Sequence, residues 1–127
     1  MYLFSMSEQM FIQGPVGQIE VFVDYPQGEV KGFAVVTHPH PLQGGTPQHK
    51  VPALLAQMFL ERGCVVYRPS FRGSGQSAGQ HDEGHGETID TLEVIHYARS
   101  NTQTYLFMQV VLALVHMSWQ KATLCFQ

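Results

Sequence analysis

The chain has 127 residues, of which 44% are hydrophobic and 13% are charged, and its net charge is −3 with neutral histidines. This length fits one domain at most, and the low charged fraction excludes disorder driven by charge. The seven lysines and arginines form no cluster, so neither a nucleic acid nor an anionic membrane surface is an expected partner.

The first predicted unit is an antiparallel β-hairpin. Phe11-Ile12 belongs to one strand, the turn lies at 14–17, and residues 18–25 form the second strand. The alternation along this second strand places three apolar side chains on one face: Ile19, Val21 and Val23.

A βαβ unit is predicted over residues 32–69. Residues 32–37 are a near-continuous apolar run, typical of a strand that is buried on both faces of a parallel sheet. Apolar residues at helical spacing follow over 51–63, with Pro52 in the first turn and Gly63 placed to cap the helix. Residues 64–69 form the next strand, and a right-handed crossover is expected.

A second amphipathic helix is predicted over 86–99. Its apolar face is expected to carry Ile89, Leu92, Ile95 and either His96 or Tyr97. The predicted fold class is therefore α/β, with an antiparallel hairpin followed by a parallel βαβα arrangement.

The composition changes near residue 100. All 12 glycines and all 7 prolines precede Asn101, and Lys121 is the only charged residue after it. We therefore divide the chain into a folded part, 1–100, and an aberrant apolar tail, 101–127. The tail's apolar stretch 106–119 is shorter than the ~20 residues that span a bilayer, and residues 1–6 do not resemble a signal peptide, so a cytoplasmic protein is expected.

Two unusual loops follow the two predicted parallel strands. The first, 38–46, reads His-Pro-His-Pro-Leu-Gln-Gly-Gly-Thr, in which the prolines remove N–H donors and the glycine pair allows close backbone approach. A rigid structural turn and a ligand-binding loop are both compatible with this pattern. A metal site at His38 and His40 lacks a predictable third ligand.

The second loop, Arg72–Ser77, matches phosphate-binding patterns poorly, and taken alone it indicates a tight turn with Arg72 bound to backbone carbonyls. Just beyond it, a divalent-ion site is conceivable at His81, Asp82, Glu83 and His85, but the neighbouring Gly84 and Gly86 favour a solvated loop. The cysteines, Cys64 and Cys125, show no CxxC spacing, so neither a disulfide framework nor a zinc site is predicted, and Cys64 is expected to be a buried thiol.

Together the two loops, in this order and at strand ends, resemble the N-terminal half of an α/β-hydrolase. More narrowly, they resemble small bacterial cytoplasmic serine hydrolases with an HPHPxxGG loop, which are related to dienelactone hydrolases. The resemblance covers roughly residues 8–100. It implies a partial α/β-hydrolase sheet whose C-terminal half is missing.

The resemblance also implies roles for individual residues. The loop after the third strand supplies a backbone N–H to the oxyanion hole, and here the donor is His40 or Leu42, since prolines have no N–H. The remaining matched positions are implied to form or brace the pocket: His38, Gly44, Gly45, Arg72, Gly73, Gly75 and Ser77. No cofactor or metal is implied, and the expected substrate is a small ester or acyl compound.

The sequence departs from this family at the catalytic residues. Its one G-x-S-x-G string, at 75–79, lies in the second loop and not in a nucleophile elbow after the fifth strand, and the acid and histidine that follow the elbow in chain order are absent as well. We therefore expect this chain to be inactive, with self-association through an exposed sheet edge. The alternatives are a non-catalytic truncated remnant or binding module, and a His-rich metal-binding domain.

A frameshift near residue 100 would explain the tail. We consider the reading frame that joins the third base of each codon to the first two bases of the next. With suitable synonymous codons for residues 108–117, this frame can encode Ala-Gly-Gly-Phe-Ser-Phe-Gly-Ser-Tyr. This reading contains a G-x-S-x-G elbow where the nucleophile strand is due. We hypothesise that the tail is translated out of frame.

Overall fold

The computed structural model describes residues 7–37 and 53–102, together with the backbone of 50–52 and 111–112. The elements, in chain order, are β1 (Glu8–Gly14), β2 (Gly17–Asp24), β3 (Gly32–Val36), α1 (Lys50–Glu61), β4 (Cys64–Pro69), α2 (His85–Asn101) and β5 (Val111–Leu112). The strands form one mixed sheet in the order β1-β2-β4-β3-β5. The α/β class predicted from the sequence is confirmed.

The hairpin is confirmed. β1 pairs antiparallel with β2 from Glu8↔Val23 to Gly14↔Gly17, and β2 continues the sheet by pairing antiparallel with β4. The three apolar side chains predicted to share one face of β2 lie in a single core cluster: Ile19, Val21 and Val23.

The βαβ unit is also confirmed. β3 and β4 are parallel neighbours in the register Gly32↔Cys64 to Val35↔Tyr67, and every residue of both strands is buried. At the end of α1 the Gly63 N–H donates to the Leu60 carbonyl at 3.0 Å, as expected of a capping position.

Alternate residues of these strands face different helices. One core cluster joins Phe33, Val35 and Tyr67 to residues of α2, and the other joins Ala34, Val36 and Val66 to residues of α1. The two helices therefore cover opposite faces of the sheet. Within the described residues, no helix is long and apolar enough to cross a bilayer.

The predicted buried face of α2 is only partly correct. Ile95 is buried, but Ile89 and Leu92 are 50% and 40% exposed. The helix is rotated so that Glu87, Asp90 and Thr91 are buried instead. Asp90 is buried because it forms an ion pair with Arg72. In the first turns of this helix the ion pair, and not the apolar periodicity, decides which side faces the core.

β5 is the one described element after residue 102. Val111 and Leu112 pair in parallel with Val35 and Val36, on the side of β3 away from β4. The fifth strand thus occupies the sheet position next to β3.

Candidate functional site

The loop Arg72–Ser77 leaves the carboxyl end of β4 and is attached to α2 by an ion pair. Arg72 Nε donates to Asp90 Oδ2 at 2.9 Å, and Arg72 Nη2 donates to Asp90 Oδ1 at 2.8 Å. The exposed fractions of the two side chains are only 9% and 6%, so water competes little for these bonds. The hydrogen bond to Asp90 is the main cause of a raised Arg72 pKa, and the guanidinium stays charged. The sequence-based assignment of Arg72 to backbone carbonyls is therefore corrected to a carboxylate.

A second anchor of the loop is Glu20 on β2. Its Oε1 accepts hydrogen bonds from the Ser70 hydroxyl at 2.8 Å and from the Gln76 N–H at 3.1 Å, and its Oε2 accepts one from Gln9 Nε2 at 2.6 Å. The residue is 4% exposed. A buried carboxylate is tolerated when its oxygens accept several hydrogen bonds, and here those bonds join three segments.

Ser77 closes the loop. Its hydroxyl donates to the Ser70 carbonyl at 2.7 Å and accepts from the Glu20 N–H at 2.9 Å. The Ser77 N–H donates to the Ser74 carbonyl at 3.1 Å. Because both functions of its hydroxyl are used internally, Ser77 in this arrangement supports the loop and is not placed as a free nucleophile.

Gly75 shows why the loop needs glycine. Its φ is +54°, and a Cβ at this position would overlap Glu20 Oε1. Gly73 also has positive φ, at +79°. Any side chain at Gly75 would push away the carboxylate that holds Gln76 and Ser70, so the glycine follows from the Glu20 anchor.

The first loop lies almost wholly outside the described residues. Five predicted site residues fall there: His38, His40, Leu42, Gly44 and Gly45. Their assignment to the oxyanion hole and pocket stays a prediction. Thr37, the last described residue before them, is 1% exposed, and its hydroxyl has no hydrogen-bond partner within the described part of the chain. Thr37 and Ser70 directly follow the last residues of β3 and β4. Since these strands are parallel neighbours, both residues lie at the same end of the sheet.

The His and acidic residues after the second loop build the start of α2. Glu87 accepts from the N–H groups of Gly84 and Asp82 at 3.0 and 2.9 Å, and it lies 2.8 Å from His81 Nδ1. Asp82 accepts from the Gly86 N–H at 2.9 Å. The predicted solvated loop is wrong at its glycines, because Gly84 and Gly86 are buried. In the described ranges no three His, Cys, Asp or Glu side chains are placed to hold a metal ion.

Sequence reasoning missed Glu20 and Asp90, the two carboxylates that fix the loop. Glu20 alternates with the apolar residues of its strand, which suggests a solvated face. Asp90 directly follows Ile89, which the periodicity places on the buried face of the helix, so Asp90 is expected to be exposed. The available signal was the loop itself, since an arginine in a tight turn next to buried strands needs an acidic partner.

Two solved structures share this architecture. An alpha-beta serine hydrolase homologue from Coxiella burnetii is 38% identical with a TM-score of 0.76, and the match covers 82% of this chain and 50% of that one. A protein from Xanthomonas campestris, described as a member of a/b serine hydrolase without lid, is 34% identical with a TM-score of 0.74, over 83% of this chain and 50% of that one. The chain has a partial α/β-hydrolase fold.

A curated relative is also matched over only part of its length. An uncharacterized protein from Rickettsia prowazekii is 33% identical over 93 residues, which are 73% of this chain and 39% of that protein. No family model matches the sequence. The chain thus spans about half of the solved hydrolase chains it matches, and less of this curated relative.

Proposed function

We propose that the chain derives from a serine hydrolase of small ester or acyl compounds, and that it is inactive by itself. The observation that carries this proposal is the joint match, at 38% and 34% identity, to two proteins described as α/β serine hydrolases. The rigid Arg72–Ser77 loop supports it, because ligands of α/β sheets bind beyond the carboxyl ends of parallel strands, where this loop lies.

In the proposed reaction a serine attacks the acyl carbon, a histidine transfers the proton, and backbone N–H groups stabilise the oxyanion. This chain would contribute the N–H of His40 or Leu42, and each such donor is worth ~3 kcal/mol of transition-state stabilisation. The Arg72–Ser77 loop braces the pocket through Asp90 and Glu20. We assign the nucleophile, the acid and the catalytic histidine to none of the 127 residues, since the one G-x-S-x-G string, at 75–79, lies in the bracing loop and the hydroxyl of its Ser77 is bonded to Ser70 and Glu20.

A fluorophosphonate probe tests the proposed inactivity. The purified chain should show no labelled serine above the level of a heat-denatured sample. Labelling at a single serine of the native chain would contradict the proposal, and mass spectrometry would identify the residue. A known serine hydrolase in the same reaction shows that the probe is active.

A gene with the alternative frame restored near codon 100 tests the hydrolase lineage. The restored protein should hydrolyse p-nitrophenyl acetate and label at the elbow serine, and the Ser→Ala variant should do neither. Replacing His40 or Leu42 by proline removes one N–H each, and the variant that loses kcat by roughly 100-fold or more identifies the oxyanion donor. Turnover that survives the elbow Ser→Ala change would overturn the mechanism.

A further inference from the structure

A cavity of about 340 Å³ lies at the other end of β4 from the Arg72–Ser77 loop. Val65 and Tyr67 of β4 line it together with Asn101, the last residue of α2, and Thr102, which follows the helix. Asp90, which pairs with Arg72, precedes Asn101 by 11 residues of α2, so the two sites lie roughly 16 Å apart along the helix. The cavity is large enough for a small ligand and is not part of the hydrolase site proposed above.

Three tyrosines dominate the lining of this cavity: Tyr25, Tyr67 and Tyr97. The rings of Tyr67 and Tyr97 pack edge to face, with their centroids 6.3 Å apart and an interplanar angle of 76°. Tyr67 is 4% exposed and its hydroxyl lies 3.4 Å from Thr102 Oγ1. The ring is therefore held in place before any ligand arrives.

The charge on the described lining is negative. Glu8 on β1 contributes a carboxylate, and none of the described lining residues is Lys, Arg or His. Arg68 directly follows the lining residue Tyr67 in sequence, and its guanidinium is bonded to Asp24 at 3.0 Å. Partial burial and the Glu8 carboxylate raise the pKa of Tyr25, so its phenol stays neutral at physiological pH.

We propose that this cavity binds a small alkylammonium cation. Aromatic rings attract cations through the negative potential of their faces, and several tyrosines beside a carboxylate are the side chains that hold quaternary ammonium groups. Met10 and Val65 supply apolar surface for the alkyl groups. A free anion is disfavoured by Glu8, and a neutral apolar molecule would make no use of the carboxylate.

A titration of the full 127-residue chain with choline chloride, followed by NMR, tests the proposal. We expect saturable shifts of residues around the cavity with a Kd of about 1–10 mM. The neutral carbon analogue of choline, 3,3-dimethyl-1-butanol, should bind at least about fivefold more weakly. Absence of shifts at 50 mM choline (roughly five times the highest expected Kd), or equal affinity for the neutral analogue, would overturn the proposal.

Variants localise the binding. Glu8→Gln changes an exposed side chain and should weaken choline binding about fivefold, and Tyr97→Leu should weaken it about tenfold, whereas Tyr97→Phe keeps the ring and should stay within about twofold. Glu61→Gln on α1 removes an exposed carboxylate on the opposite face of the sheet and should leave binding unchanged. Equal effects of Glu8→Gln and Glu61→Gln would show a non-specific charge effect and contradict the assignment.

Discussion

The Arg72 guanidinium and the Asp90 carboxylate meet through two parallel hydrogen bonds, at 2.9 and 2.8 Å, and join the loop after β4 to the beginning of α2. Neither residue is a candidate catalytic group. The pair holds the beginning of α2 against the loop. This contact lies at the end of the sheet where the parallel strands finish, which is also where the proposed hydrolase site lies.

Replacing Asp90 by Asn should strongly destabilise the protein. The change leaves a buried guanidinium without its counter-charge, and breaking such a pair costs about 3 kcal/mol or more. The free energy of unfolding in urea, followed by circular dichroism, measures the effect. Glu93→Gln on the same helix is the control and should change the stability by less than about 0.5 kcal/mol. Equal stability of the two variants would show that the pair contributes nothing net.

Gly86→Ala should destabilise the protein, although alanine is the better helix former by ~1 kcal/mol. A Cβ at Gly86 would overlap the Arg72 guanidinium and disturb the pair with Asp90. We expect a net loss of roughly 1–3 kcal/mol in the urea experiment. In an Arg72→Ala background the same change should cost nothing further or increase stability, and an undiminished penalty there would place the clash elsewhere.

The Cys64 thiol should react slowly in the native protein. The side chain is 2% exposed, and burial raises its pKa, so the reactive thiolate is scarce until the pH exceeds the ordinary thiol range. The folded state holds the thiol proton more tightly than the unfolded state, so this contribution to stability is present below the unfolded pKa and is lost as the pH rises through the folded one.

Ellman's reagent measures that reactivity in a Cys125→Ser variant, where Cys64 is the only thiol. At pH 8 the rate in buffer should be about 100-fold or more below the rate in 6 M urea, since reaction requires opening of the sheet. Equal rates would mean that Cys64 is accessible and that the core around it is open.

The sheet edge at β5 should promote self-association. Within the described residues β5 pairs with β3 at two positions, and partly covered edges can pair with a second molecule. Light scattering after size exclusion should show an average mass that rises with concentration. Val111→Lys places a charge on this edge strand and should lower that mass, whereas Phe11→Lys on the opposite edge strand should not. A concentration-independent monomer would refute the expectation.

The frameshift hypothesis predicts a specific nucleotide sequence. If it is correct, a single-base insertion or deletion near codon 100 restores a long open frame that encodes the G-x-S-x-G elbow over codons 108–117. Sequencing of the gene and the DNA downstream decides the matter. A downstream sequence without such a frame would leave the tail's composition without this explanation.

The sheet was predictable because its signals are local. The alternation in β2, the apolar run of β3 and the cap at Gly63 each depend on a few neighbouring residues, and each prediction is confirmed. The exposed side of α2 was not predictable in the same way. Asp90 is buried because Arg72 lies beside it in the fold, and no periodicity within the helix records that contact.

The candidate site was predictable only in outline. The resemblance placed Arg72 and Ser77 in a bracing loop, and their bonds to Asp90 and Glu20 are consistent with that role. Glu20 itself could not be found from its surroundings, because it precedes the loop by more than fifty residues. Such a partner is visible only once β2 and β4 are neighbours.

The bonds that hold the Arg72–Ser77 loop have a consequence for the order of events during synthesis. The partners described for the loop lie between Gln18 and Asp90, so all of them have left the ribosome before residues far beyond α2 are translated. Chains are made from the N-terminus at about 5–20 residues per second, and domains generally fold as units. The bonds described for this corner of the molecule need no residue after Asp90, so they do not depend on which sequence is translated beyond α2.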